Sequence, residues 1–150
     1  MPDEIILIAA VTVDGFIARH QEEVIQWSRD LFIFKEQTMG HPIIMGSNTY
    51  KTLVAELDGR EIIVIHRTDS PESILSGLNT PRCFVIGGGV TNSRFFPYLT
   101  HLYITPHPLV FGNGVPLFTN DVPELELSFQ KLVPVLPEDG IFQYQYAVKP

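Results

Sequence analysis

Five short apolar runs, rich in β-branched residues, recur along the first two thirds of the chain. They are EIILIAAV (4–11), HPIIMG (41–46), EIIVIH (61–66), RCFVIGGG (82–89) and HLYITPH (101–107). Runs of this length with few polar alternations are typical of strands covered on both faces, as in a parallel sheet flanked by helices. The segments between them predict helices over 28–39, 47–55, 71–77 and 91–97, bounded by glycine, proline or hydroxyl residues.

The last third of the chain changes character. The segments 125–136 and 142–149 are joined by PEDG, and the second alternates apolar with polar residues. This pattern predicts an antiparallel hairpin added to one edge of the sheet. With 150 residues, 45% of them hydrophobic, and no repeat or linker, the chain is expected to form one domain over 1–150. The fold class expected is α/β, with a mixed, mostly parallel central sheet flanked by helices.

Charge and composition argue against several classes of partner. The net charge is −7 and the lysines and arginines are scattered, so we expect no nucleic-acid partner. The N-terminal run IILIAAV has seven residues and follows Asp3 and Glu4, so we expect neither a signal peptide nor a membrane span, and a cytoplasmic location. The oligomeric state stays open between monomer and homodimer.

The cysteine and the histidines offer no metal site. Cys83 is the only cysteine, which excludes an internal disulfide and suits a small core residue. The histidines show no metal-ligand spacing, and we expect a surface or strand-edge position for four of them, His20, His41, His101 and His107.

Asp30 stands at the head of a segment whose inward-facing candidates are Leu31, Phe34 and Met39. One interpretation is local: Ser28 caps the helix, and an acid in the first turn suits the helix dipole. The other is functional, because a buried carboxylate needs donors, and a planar N–H pair such as that of a 2-aminopyrimidine would supply two. From this segment alone both interpretations stay open.

Two strand-to-helix junctions have the same form. IIMGSNTY (43–50) and FVIGGGVTN (84–92) each end a strand in glycine and enter a helix through small or hydroxyl residues. Glycine lets a backbone approach a ligand, and helix N-termini bind phosphate oxygens, so the pair could hold the two phosphates of a dinucleotide. Glycine also ends many strands merely to make a tight turn. The fingerprint GxGxxG is absent, which argues against a Rossmann site.

Several blocks together resemble the dihydrofolate reductase family. They are ILIAAVTVDGFIA, DLFIFKEQTMGHPIIMGSNTYKTL, LDGREIIVI, VIGGG and LYITPH, in the family's order and over residues 5–107. The resemblance implies a dihydrofolate-reductase-like fold and the NADPH-dependent reduction of 7,8-dihydrofolate to 5,6,7,8-tetrahydrofolate. In that reaction a hydride goes to C6 and a proton to N5, and the product serves one-carbon metabolism.

The same resemblance implies the substrate site. Asp30 would be the active-site acid that holds the pterin's 2-amino group and ring N–H, with Thr105 bonded to it directly or through water. The pterin would be surrounded by Ile8, Ala10 and Ile86, and the aminobenzoyl ring by Leu31, Phe34, Leu53 and Leu57. Arg60 would pair with the glutamate α-carboxylate, although from the residues alone an isolated arginine is expected to be solvated.

For the cofactor, NADPH, the resemblance implies contacts on both sides of the pyrophosphate. They are Ser47, Asn48 and Thr49 on one side and Gly88, Gly89, Val90 and Thr91 on the other. His66 and Arg67 would lie near the adenosine 2′-phosphate. The remaining cofactor contacts would come from Ala10, Ile17, Gly46 and Ile86, and a cis peptide bond is expected at Gly87–Gly88.

The chain departs from the family pattern in three places. ARHQEEVIQWSRD (18–30) lacks the usual methionine, Pro-Trp and Leu-Pro and offers Glu23, Val24 and Trp27 instead, so we expect its lid to close differently. Ser47 stands where many members carry a basic residue. HPLVFGNGVPLF (107–118) resembles the reductase domain of riboflavin biosynthesis. Two alternatives therefore stay open: a pyrimidinone reductase that uses NADPH, and a non-catalytic folate or nucleotide binder.

Overall fold

The structure, a computed structural model, describes residues 1–53 and 57–150. Within these ranges the strands are β1 (Glu4–Thr12), β2 (Phe16–Ala18), β3 (Ile43–Gly46), β4 (Ile62–Ile65), β5 (Arg82–Val85), β6 (His101–His107), β7 (Val115–Pro116), β8 (Leu127–Leu136) and β9 (Ile141–Val148). The helices are α1 (Leu31–Thr38), α2 (Ser47–Thr52), α3 (Pro71–Ser76) and α4 (Gly89–Phe95), with short 3₁₀ turns at Phe96–Tyr98 and Pro137–Asp139. No described helix has both the length and the apolar character needed to cross a bilayer.

The central sheet has seven strands in the order β4-β3-β5-β1-β6-β9-β8. The first five of these strands are parallel, whereas β9 pairs antiparallel with both β6 and β8. This confirms the predicted fold class, including the C-terminal hairpin at one edge. The hairpin turns at Gly140, whose φ of 71° is a left-handed conformation that favours glycine.

Both faces of the sheet are covered, as the continuous apolar runs predict. Along β1, Ile5 and Leu7 join one core cluster while Ile6 and Ile8 join the other, because successive side chains of a strand point to opposite faces. The first cluster receives apolar residues of α3 and α4, and the second receives Phe34 of α1. Cys83 lies in the first cluster, and burial raises the pKa of its thiol to about 12.

Several helix boundaries differ from the prediction. α1 begins at Leu31 rather than 28, and Ser28 lies outside it, because Asp30 occupies the cap position with φ −111° and ψ 15°. α2 ends at Thr52, and the predicted helical residues 54 and 55 lie outside the described residues. α4 begins two residues early, at Gly89. β2 and β7 were not predicted, since strands of three and two residues are too short to show a periodicity.

The parallel strands β1, β3, β4, β5 and β6 all point their carboxyl ends at one edge of the sheet. In open α/β sheets, ligands bind outside this edge. The residues that follow or end these strands include Gly46, Arg67, Ile86 and Thr105. The topology therefore gathers residues that are distant in sequence into one region.

A pair of side-chain amides, of which Gln143 is buried, joins α1 to the hairpin. Gln37 of α1 donates to Gln143 Oε1 at 2.7 Å, and Gln143 donates back to Gln37 Oε1 at 2.9 Å. Gln143 is 0% exposed, and its Oε1 also accepts from Gln145. Buried amides are expensive to leave unpaired, so this reciprocal pair fixes the position of α1 against β9.

Gln37→Ala is expected to lower the free energy of unfolding by about 1–3 kcal/mol, because it leaves the Gln143 amide nitrogen buried without a partner. Urea unfolding would measure the change. The matched control is Gln130→Ala, at an exposed position of β8, which should change stability by less than about 0.5 kcal/mol. Equal losses in the two variants would show that the amide pair does not hold α1.

Candidate active site

A cleft of about 880 Å³ opens at the carboxyl edge of the sheet. This is near the upper end of the range of roughly 300–1,000 Å³ for small-molecule sites. Its walls come from β1, β2, the segment before α1, α1 itself, α2 and α4. The cleft divides into an end around Asp30, mainly apolar, and an end around the glycine-rich junctions, mainly polar.

Asp30 is buried at the first end, with 8% of its surface exposed, and lines the cleft. It holds the cap position of α1, but its side chain makes no capping hydrogen bond to the described residues. The predicted cap by Ser28 is therefore wrong, and Asp30, which occupies the cap position, does not cap the helix through its side chain. Asp30 is also the one buried carboxylate among the described residues, and such a group is unfavourable unless something donates to it.

Burial raises the pKa of Asp30. The residue's own N–H and the Thr105 hydroxyl lower it and offset only part of this effect. A carboxyl group in this environment accepts a proton more readily than one in water. The ionised form needs donors that the protein does not fully provide.

Thr105 lies directly behind the acid. It is fully buried on β6, opposite Ala10 of β1 in the parallel register. Its hydroxyl acts on the Asp30 carboxylate, yet no hydrogen-bond partner lies within reach of its oxygen among the described residues. The geometry therefore gives no direct hydrogen bond between Thr105 and Asp30. A buried hydroxyl without a partner next to a buried acid indicates a place where a water or ligand atom completes the contact.

Apolar residues form the rest of this end. Those that line the cleft are Ile8, Ala10, Leu31, Phe34, Leu53 and Ile86. Leu57 packs on the adjoining core cluster with Phe34 and does not line the cleft. Met39, expected to face inward, is 54% exposed, because α1 ends before it and the chain turns away; that expectation is wrong.

The two glycine junctions meet at the other end. β3 and β5 are neighbours, and the Gly46 N–H donates to the Gly87 carbonyl at 2.9 Å. A Cβ on Gly46 would stand 2.7 Å from Thr91 Oγ1, so only glycine allows this approach. The predicted cis bond at Gly87–Gly88 is confirmed. The cleft wall here contains Ile17, Ser47, Asn48, Thr49, Gly88, Gly89, Val90 and Thr91.

Arginine side chains lie at the polar end of the cleft. Arg67 lines the cleft, whereas His66 does not. Arg94 lines it too, but its guanidinium donates to the backbone carbonyls of His66 and Asp69. The His66 N–H in turn donates to the Asp69 carboxylate at 2.7 Å. Arg94 and Asp69 thus stabilise the turn that presents Arg67.

Arg60 lies outside the cleft proper, in a shallow cavity beside the end of α1 that it shares with Lys35 and Asp58. Its Nε donates to Thr38 Oγ1 at 2.9 Å, and its guanidinium also donates to the carbonyls of Lys35 and Asp58. It is half-buried and held in place, rather than freely solvated as the isolated residue would suggest.

Sequence analysis missed other residues of the cleft. Glu23 and Trp27, noted only as departures, line it, and Glu23 forms an ion pair with Arg19. Asn92 donates to the Leu117 carbonyl at 2.9 Å and leaves its buried Oδ1 without a partner among the described residues.

The prediction of a surface or strand-edge position is wrong for His107, which is buried beside Asp30. Its spacing of two residues from Thr105 on a strand places both on one face, a signal that could have indicated its position.

Comparisons with known proteins agree on one family. A family model described as dihydrofolate reductase matches residues 4–110. Dihydrofolate reductase from Bacillus subtilis (strain 168) is 31% identical over 112 residues, 65% of this chain and 66% of that protein. Dihydrofolate reductase from Mycobacterium tuberculosis (strain ATCC 25618 / H37Rv) is 33% identical over 110 residues, 66% of this chain and 68% of that protein. The chain thus spans about two thirds of the length of the curated relatives it matches.

Two solved structures share the fold. Dihydrofolate reductase from Enterococcus faecalis complexed with NADP(H) and RAB-propyl superposes with a TM-score of 0.76 at 19% identity, covering 100% of this chain and 99% of that one. A protein described as a riboflavin biosynthesis protein, from Shewanella sp. PV-4, has a TM-score of 0.63 at 22% identity and covers 98% of this chain and 99% of that one. At these identities the likeness establishes the fold alone.

Asp30→Asn is expected to stabilise the protein at neutral pH. Because the pKa of Asp30 is raised in the folded state, the wild-type protein loses stability as the pH rises from the unfolded pKa towards the folded one. The amide does not ionise, so the stability difference between variant and wild type should grow from acid to neutral pH. Each tenfold change in the proton affinity of the carboxyl on folding corresponds to about 1.4 kcal/mol. Urea unfolding across this pH range measures the difference.

The matched control is Asp3→Asn, an exposed acid before β1 at the opposite edge of the sheet. Its stability difference from wild type should not grow with pH. An Asp30→Asn protein that is less stable than wild type at neutral pH would contradict the account of a poorly compensated carboxylate.

Proposed function

The chain belongs to the dihydrofolate reductase family, and from this premise we propose that it reduces 7,8-dihydrofolate to 5,6,7,8-tetrahydrofolate with NADPH. The observation that carries the proposal is Asp30: a buried carboxylate at the apolar end of a cleft, with a raised pKa and no capping role. A flat ring that presents an amino group and an adjacent N–H supplies the two donors that the ionised carboxylate lacks.

The walls around Asp30 suit such a ring. Ile8, Ala10 and Ile86 give an apolar slot for the pterin, and Leu31, Phe34 and Leu53 extend it along α1 and α2 for the aminobenzoyl group. Leu31 is exposed in the free protein while it lines the cleft, as expected of a side chain that a ligand would cover. Burial of this apolar surface would contribute roughly 25 cal/mol per Å² to binding.

Arg60 is proposed to bind the glutamate α-carboxylate. Its guanidinium is oriented by the Thr38 hydroxyl and the Lys35 carbonyl at the end of α1, beyond Phe34. A guanidinium that is already oriented loses less conformational freedom when it binds a carboxylate. The same cavity is lined by Lys35 and by the acidic residues Glu36 and Asp58.

The residues of the polar end fit a dinucleotide. Gly46 and Gly87 bring two backbone segments into contact, with hydroxyls from Ser47, Thr49 and Thr91 around them. Small side chains and backbone N–H groups let phosphate oxygens approach closely. The buried Asn92 Oδ1, an acceptor without a partner among the described residues, adds a site for a donor from the ligand. We propose that Arg67 binds the 2′-phosphate that distinguishes NADPH from NADH.

The nicotinamide, when bound, supplies the hydride for C6 of the substrate. The protein's own contribution is to align the two rings and exclude water. In this proposal Asp30 fixes the pterin and polarises it, Thr105 supports Asp30, and the proton reaches N5 from water. The segment that contains Glu23 and Trp27 lines the cleft, and within it Glu23 pairs with Arg19.

Asp30→Asn is expected to lower kcat/KM for dihydrofolate by at least about 100-fold, because the amide replaces one of the two acceptor oxygens that face the paired donors of the ring with an NH2 donor. Loss of NADPH absorbance with dihydrofolate measures the rate. The Kd for NADPH, measured by titration, should stay within about twofold of wild type, since Asp30 lies at the other end of the cleft. Asp3→Asn is the matched control, with kcat/KM unchanged.

Wild-type kcat/KM in the Asp30→Asn protein would refute the role of the acid. The same assay decides between the alternatives. Oxidation of NADPH with a ribityl pyrimidinone and not with dihydrofolate would assign a reductase of the riboflavin type. NADPH binding without oxidation by either substrate would assign a binder.

Arg67→Ala is expected to raise the Kd for NADPH by about 10- to 100-fold and to leave the Kd for NADH within about twofold, because only NADPH carries the 2′-phosphate. Fluorescence titration with each cofactor measures both constants. Arg82→Ala is the matched control: Arg82 pairs with Glu4 at 2.7 Å at the start of β1, away from the cleft. An equal loss for both cofactors would contradict a phosphate contact.

A further inference from the structure

His107 is the last residue of β6 and is 1% exposed. Its ring packs edge-to-face against Trp27, with centroids 5.4 Å apart. Both residues stand next to the acid site, since the His107 ring contacts Arg29, the residue before Asp30, and Trp27 lines the cleft. The proposed function gives His107 no role.

Both ring nitrogens are engaged with backbone. Nε2 accepts the Arg29 N–H at 2.9 Å, and Nδ1 lies 2.9 Å from the Thr105 carbonyl oxygen. Because Nε2 accepts and the Thr105 carbonyl can only accept, the ring must carry its proton on Nδ1. His107 is therefore held as one neutral tautomer, bridging the segment before α1 and the strand that carries Thr105.

The Asp30 carbonyl accepts the Phe34 N–H at 3.0 Å, which fixes the start of α1 but not the segment before it. The Asp30 side chain makes no capping bond to the described residues, so helix capping does not orient it. The side chain of Arg29 forms an ion pair with Asp139 at 2.8 Å, but both groups are about half exposed, and such pairs contribute little. The bond from the Arg29 N–H to the buried His107 ring holds the Ser28–Arg29 peptide, one peptide before the one that joins Arg29 to the acid.

We propose that His107 is a positioning residue for Asp30: it fixes the peptide at Arg29 against β6 so that the carboxylate points into the cleft. The proposal rests on the proposed function, because the position of Asp30 matters through the ring it holds. Loss of the bond to Arg29 would let the acid shift relative to the pterin, and shifts of about 1 Å in a reacting complex are sufficient to slow catalysis strongly.

Two substitutions separate the two hydrogen bonds. In His107→Gln the longer side chain can place an oxygen where Nε2 lies and keep the bond to Arg29, whereas in His107→Asn the amide reaches only the position of Nδ1 and keeps the bond to Thr105. Dihydrofolate and NADPH kinetics are measured for both variants and wild type. Trp27, the only tryptophan of the chain, reports on the same contact through its fluorescence.

We expect His107→Asn to raise the KM for dihydrofolate about tenfold or more, to lower kcat, and to shift the Trp27 emission to longer wavelength. His107→Gln should stay within about threefold of wild type in both constants. The KM for NADPH should stay within about twofold in both variants, whereas a merely structural defect would raise both Michaelis constants together.

Two further results bear on the assignment. If wild-type protein turns over dihydrofolate but the two variants have the same KM, the role of His107 is overturned and the proposed function stands. If wild-type protein shows no turnover, the proposed function is overturned and the positioning role with it. Should His107→Asn fail to fold, hydrogen exchange of the wild-type Arg29 amide decides: protection comparable to that of the Phe34 amide in α1 supports the bridge, and exchange at the rate of an exposed amide overturns it.

Discussion

The central constraint on the cleft is the carboxylate of Asp30, which is buried with fewer hydrogen-bond donors than its ionised form needs. Asp30 lies among apolar walls that suit an apolar side chain better than an acid, and burial raises the pKa of its carboxyl group. Folding alone would not favour an acid at this position, because a neutral side chain would be more stable there. The buried carboxylate lowers the stability of the fold, but it faces the cleft, where a ligand with paired N–H groups can donate to it. Binding such a ligand would remove this unfavourable interaction, and the free energy gained would strengthen binding.

The sheet makes this arrangement possible by bringing five carboxyl ends to one edge. The register of β1 and β6 sets Thr105 opposite Ala10, and the neighbouring β3 and β5 bring Gly46 to Gly87. One end of the cleft is then apolar and acidic, and the other is rich in backbone groups and positive charge. Two ligands of different chemistry can therefore lie next to each other in the cleft.

Much of the fold could be predicted because its signals are local. Continuous apolar runs indicated strands covered on both faces, and the alternation in 142–149 indicated the hairpin. The glycine junctions could be recognised one at a time, although their contact through Gly46 and Gly87 follows only from the strand order. Asp30 could be singled out, but the choice between cap and ligand site needed its burial and the missing capping bond.

The rest could not be predicted because it depends on contacts between distant residues. His107 meets the Arg29 N–H across 78 positions of sequence, and no local pattern shows which segment will cover a strand end. The turn that contains Arg67 depends in the same way on a distant residue, Arg94 of α4. Met39 was expected to face inward because α1 was expected to reach it, and the helix ends one residue earlier.

The most direct test of the central claim is the titration of the Asp30 carboxyl carbon by NMR, in the free protein and in the complex with folate. The account predicts a midpoint above the ordinary aspartate value of about 3.9 in the free protein, and a lower midpoint when the ring donates to the ionised carboxylate. A midpoint at or below the ordinary value in the free protein, unchanged by folate, would contradict it.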